Sequence, residues 1–111
     1  MMFTDKQKEQ LDEIIERGQD FEFKNSIKTI EFAISEWKQN IKTDKEAYDK
    51  IYKKAVKNEH HLSHRYSGID DTRRIQIIAE LYVENIIDHD LFDDLDENLR
   101  QQVFNITKIK K

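Results

Sequence analysis

Residues 71–88 read DTRRIQIIAELYVENIID. At 100° per residue, Ile75, Ile77, Ile78, Ala79, Leu81, Tyr82, Val83, Ile86 and Ile87 spread over well more than half of a helix circumference. Only Glu80 and Glu84 hold a polar wedge between them. The run is too long for an ordinary strand and contains neither glycine nor proline, so it reads as a helix. A helix this apolar is enclosed by neighbours, either inside its own domain or across an oligomer interface. Asp70 or Asp71 supplies its cap. The rest of the chain is then expected to pack around this segment.

Working outward, Thr43-Asp44-Lys45-Glu46 is a capping box and predicts a helix over 44–64. Its Ala47, Ile51, Ala55 and Val56 are expected to face inward, with Tyr48 and Tyr52 on the flank. Lys50, Lys53, Lys54 and Lys57 fall mostly on the other side, and Arg65 to Asp70, with Gly68, reads as a loop. Before it, Ile27, Ile30, Ile34, Trp37 and Ile41 recur at helical spacing with Ala33 alongside, predicting a packed helix over 26–41 capped by Asn25 or Ser26. Trp37 is in register with the isoleucines and reads as core. A second capping box, Thr4-Asp5-Lys6-Gln7, opens a helix over 5–17 with Leu11, Ile14 and Ile15 as its stripe and Gly18 as its stop. Between these two, Phe21-Glu22-Phe23 alternates like a strand that has no partner. Its rings either tuck against the core at the next helix entry or stand exposed as anchors for a partner.

Downstream, Asp88 to Asp96 is an acidic turn with Leu91, Phe92 and Leu95 beneath it. Asp94 with Glu97 starts a last helix carrying Leu99, Val103, Phe104 and Ile106. Lys108, Lys110 and Lys111 suit its C-terminus. The expected fold is all-α, a compact single domain over 1–111 built from four to five mostly antiparallel helices.

Composition agrees with that class. Of 111 residues none is proline or cysteine and only Gly18 and Gly68 are glycine, which leaves too few breakers for a turn-rich β fold. The 38% charged content raises the question of disorder. Leu, Ile, Val and Phe nevertheless make up 30 of the 111 residues, above the roughly 20% at which chains fail to collapse. Without cysteine there is neither a disulfide framework nor a thiolate metal site. Met1 to Gln10 lacks a signal-peptide core and no long apolar run occurs, so a cytoplasmic location with no membrane contact is expected.

The net charge of −4 is unevenly placed: residues 42–74 carry 9 basic and 6 acidic groups, whereas 75–111 carry 4 and 8. A basic excess this small is weak for a nucleic-acid binder. A helix-turn-helix drawn from 44–64 and 71–88 would also place too apolar a helix in the groove. That reading rests on the lysines of residues 42–57 (Lys42, Lys45, Lys50, Lys53, Lys54 and Lys57) with Arg73 and Arg74.

A metal-dependent enzyme is the other alternative. His60 and His64 are four apart on one helical face, His61 lies between them, and His89-Asp90 follows downstream. The run reads first as the frayed, solvated end of that helix, and the metal site is the lesser reading. Asp88, Asp90, Asp93, Asp94, Asp96 and Glu97 fail the calcium-loop pattern, since Phe92 and Asp93 occupy its fifth and sixth positions. No serine sits in a glycine-flanked elbow and no glycine-rich phosphate loop exists. The sequence therefore points to a non-catalytic helical interaction protein (regulator, inhibitor or assembly subunit) needing no cofactor. Its expected partner is another protein presenting a basic surface, met by Asp88, Asp90, Asp93 and Asp94 with Phe21 or Phe23 as aromatic anchors. Self-association through the apolar segment 71–88 is a further expectation.

Overall fold

A computed structural model describes residues 3–110, and the chain is all-α. Among the described residues there are five helices and no strand: α1 (Asp5–Lys38), α2 (Asp44–Arg65), α3 (Asp71–Val83), α4 (Asp90–Asp93) and α5 (Glu97–Lys110). Lys111 and the side chains of Lys108 and Lys110, expected to favour the C-terminus of the last helix, lie outside the described residues. No helix among those described is long and apolar enough to cross a membrane. The residues fall into two compact units, Met1–Phe21 with Tyr66–Lys111, and Glu22–Arg65.

The first unit is organised around α3. Ile77, Ile78, Ala79 and Leu81 are fully enclosed, packed with Leu11, Ile14 and Ile15 of α1 and with Phe92, Leu95, Leu99 and Val103. Asp70 caps α3 by accepting the Arg73 N–H at 2.8 Å. The Phe3 N–H donates to Asp71 at 3.4 Å, Arg74 pairs with Asp12 at 2.8 Å, and Gly18 lies against Leu81. These pairs occur in the same order along both segments, so the first half of α1 runs parallel to α3.

Gly18 does not end a helix, contrary to the expected break at 17. It lies inside a 34-residue α1, where a β-carbon would come within 2.5 Å of Leu81 Cδ1. Its bare backbone serves close approach to α3 rather than a left-handed stop. Phe21-Glu22-Phe23 is accordingly helical, and Ser26 is no cap. The Ser26 hydroxyl donates to the Glu22 carbonyl at 3.0 Å, a mid-helix back-bond.

The true stops are asparagines. Asn40 and Asn85 both adopt φ near +60°, at 60° and 57°. The next residue donates back to the third-last helical residue, Ile41 to Glu36 at 2.9 Å and Ile86 to Leu81 at 3.0 Å. Each is a Schellman closure, so the helices expected to reach 41 and 88 end at Lys38 and Val83. Ile86 and Ile87 then turn back onto the core from a loop.

The second unit is an antiparallel hairpin of the C-terminal half of α1 with α2. Both capping boxes form as read, Thr4 with Gln7 and Thr43 with Glu46, each through two reciprocal bonds of 2.9–3.2 Å. At the tip Trp37 Nε1 donates to Asp44 at 2.6 Å, and Lys50 meets Glu36 at 2.5 Å. At the open end, Glu22 Oε1 receives Arg65 at 2.8 Å and contacts His61 Nε2 at 2.7 Å. Glu22 and Arg65 are buried, and the apolar interior is thin: Ala33, Ala47 and Leu62.

Candidate interaction surface

The hairpin has a register that its apolar pattern does not announce. The stripe of α1 turned toward α2 contains Glu22, Ser26, Ala33 and Glu36, which are buried or half-buried. The isoleucine seam expected to be packed lies about 100° away from that stripe. Ile27 is 67% exposed, and Trp37, at 42%, is not core. On α2, Tyr48 is 71% and Tyr52 62% exposed, and Ala55 and Val56, expected inside, are exposed as well. Ala33 and Ala47 are the small apolar residues enclosed between the helices, and the polar side chains of Glu22, Ser26 and Glu36 fill the rest of that stripe.

The seam and the tyrosines fall on one side of the hairpin. Ile34 and Trp37 of α1 join Ala47, Tyr48 and Ile51 of α2 around an almost wholly apolar groove of about 310 Å³. The opposite side is basic. Lys28 and Phe32 of α1 line a cleft with Lys54, and Lys50 stands 5.7 Å over the Phe32 ring. Lys53 and Lys57 share that side at helical spacing. Lys50 holds the Glu36 carboxylate below the usual carboxylate range, chiefly through their hydrogen bond. The hairpin is thus a two-faced plate, apolar on one side and basic on the other.

The residues singled out from sequence are distributed differently from their expected grouping. Phe21 and Phe23 are both about half exposed, at 42% and 46%. Two positions apart on a helix, they point about 200° from each other, so they do not form one anchor. Phe23 falls on the seam side of α1 with Ile27, Ile30 and Ile34, and Phe21 on the Phe32 side.

Asp88, Asp90, Asp93 and Asp94 are all exposed around the single turn of α4. Asp88 accepts the Asp90 N–H at 3.0 Å, and Asp94 lines a cleft with Gln10, Arg17 and Leu91. None of the four joins an ion pair among the described residues.

The histidines are not gathered either. His61 belongs to the Glu22–Arg65 cluster, while His60 and His64 are exposed on α2, which continues helical to Arg65 rather than fraying. His89 stacks on Tyr82 with ring centroids 4.4 Å apart. Among the described residues no group of three or more His, Cys, Asp or Glu is close enough to hold a metal ion. The two arginines of the nucleic-acid reading are engaged elsewhere, Arg73 with Glu80 at 3.3 Å and Arg74 with Asp12 and Asp71. The Asp12 hydrogen bond raises the Arg74 pKa above its ordinary value, fixing that charge in the ion pair.

Comparison of the chain with protein-family models, with curated proteins and with solved structures finds no match.

Proposed function

We propose that this chain is a non-catalytic helical interaction protein that acts by covering another macromolecule, with the apolar face of the α1–α2 hairpin as its working surface. One observation carries the reading. Among residues 71–107 the apolar side chains, Val83 apart, are buried or half-buried, whereas the hairpin leaves Ile27, Trp37, Tyr48 and Tyr52 in water. Apolar area of that kind, rich in Trp and Tyr, supports a protein-binding role.

This shifts the expected contact. The electrostatic interface expected from the sequence assumes that helix packing consumes the apolar residues, and in the hairpin it does not. The exposed carboxylates of Asp88, Asp90, Asp93 and Asp94 support only an auxiliary contact, one that would steer a basic partner surface and weaken with salt. The basic side of the hairpin favours one further reading, a nucleic-acid contact through Lys50, Lys53, Lys54 and Lys57.

The test is affinity capture from the native host with tagged protein and two variants. Trp37→Ala/Tyr48→Ala, which trims the apolar face, should lose the captured partner while its circular dichroism spectrum stays helical. Lys53→Glu/Lys57→Glu should retain it. The reverse pattern would transfer the function to the basic side, and capture by neither variant or wild type would defeat the reading.

A further inference from the structure

We infer that the apolar face of the hairpin is a self-association surface, on which a second copy of this chain docks antiparallel to close a four-helix bundle. The inference rests on the interaction reading above and names the occupant of that face.

The first argument is area. At 150–250 Å² per buried aromatic, the exposed fractions of Phe23, Trp37, Tyr48 and Tyr52 leave on the order of 400 Å² of ring surface in water. Ile27 and Ile34 add to it. The total approaches the roughly 800 Å² per partner of a stable interface. Elsewhere among the described residues the large hydrophobics left exposed are dispersed: Phe21 and Phe32 on the other side of α1, Ile41 beyond its end, and Val56, Ile69 and Val83. The remainder of the chain therefore has no apolar patch of matching size. The face itself does, and a two-fold interface needs only a surface complementary to itself.

The second argument is spacing. Phe23, Ile27, Ile30, Ile34 and Trp37 of α1 follow one another at intervals of four and three. That is the core pattern of a bundle helix, present here without bundle neighbours in the unit that holds it.

The third argument is charge, and it selects the orientation. Glu31 and Lys38 of α1 and Lys45 and Glu59 of α2 are all exposed and fall on the outer margins of this face. Docking with the two tips together would set Lys38 and Lys45 of both copies side by side. An antiparallel two-fold centred near Ile34 and Tyr52 instead brings each lysine opposite a glutamate on the same helix of the other copy, Lys38 to Glu31 and Lys45 to Glu59. Like-charge contacts are avoided at both ends.

Sedimentation equilibrium and light scattering on the full chain test this, from low micromolar to millimolar concentration. The expected mass rises from 13.4 kDa toward twice that value. Ile34→Asp should hold it at the monomer. Because that substitution could disturb the hairpin, the exposed margin gives the second arm. Lys45→Glu and Glu59→Lys should each raise the dimer Kd about tenfold, through two like-charge contacts per dimer, and their combination should restore it. A monomer at every concentration overturns the inference, and so does a double variant that remains as weak as the singles. If the wild type is monomeric yet Trp37→Ala/Tyr48→Ala loses a captured host protein, the second copy is wrong and the interaction reading stands. If it is monomeric and captures nothing, both fall.

Discussion

A β-carbon added at Gly18 would sit 2.5, 3.1 and 3.3 Å from Cδ1, Cδ2 and Cγ of Leu81, a side chain that is fully enclosed. Rotating Leu81 relieves one of these contacts only by driving another methyl into the core. Alanine in a helix interior gains about 1 kcal/mol over glycine, but overpacking costs roughly 1–3 kcal/mol. Gly18→Ala should therefore lower stability by about 1 kcal/mol in denaturant titration. In the background of Leu81→Ala the same substitution should become stabilising, and additive effects would contradict the contact. This residue also explains one misreading of the sequence. A glycine that ends a helix and a glycine that admits a neighbour are the same letter, and only Leu81, 63 positions away, distinguishes them. Asn40 and Asn85 are the converse, since asparagine takes the left-handed conformation less readily than glycine and signals a stop less clearly.

Among the elements, those fixed by local chemistry were legible. The two capping boxes and the Asp70 cap lie within four residues of what they bind, and all three form. The apolar excess of 75–81 located the core equally well. The helical seam of 27–41 was legible as a stripe, but not as an exposed one, because periodicity reports which side chains share a face and not what covers it. Two carboxylates make the hairpin sensitive to acid. Glu46 is held below the usual carboxylate range, first by the Thr43 N–H and then by its hydroxyl, and Glu36 by Lys50. A lowered folded-state pKa means that the stabilisation is present above the ordinary value of about 4.3 and is lost as pH falls through the folded pKa. The hairpin should melt at lower temperature as pH drops from about 6 to 3. Glu46→Gln, which retains the reciprocal cap without a charge, should flatten that decline in a series of thermal melts. An unchanged slope would assign the acid sensitivity elsewhere.

For the whole molecule, the contrast between the two units sets an expectation about cooperativity. The unit built on α3 has a contiguous core, whereas 22–65 has three buried apolar residues and a buried Glu22–Arg65 pair. A buried ion pair is weak support for stability, so the hairpin should be the less stable part. Calorimetry at low concentration should resolve two transitions. If the hairpin is covered by a second copy, the lower one should rise with concentration and merge with the upper. A single, concentration-independent transition would contradict both the thin core and its covering. The candidate site was partly legible for the same reason the fold was: its residues were visible as a pattern, while their exposure follows from Ala33 and Ala47, rather than the isoleucines, facing the partner helix. One consequence concerns the order in which the protein is made. Leu11, Ile14 and Ile15 pack with Leu99 and Val103, so the first third of the core waits for the last. At about 5–20 residues per second, a ribosome needs on the order of 4–18 s to travel from Ile15 to Val103. Throughout that interval the nascent N-terminal helix carries an uncovered apolar stripe, which makes it a natural substrate for whatever shields emerging chains.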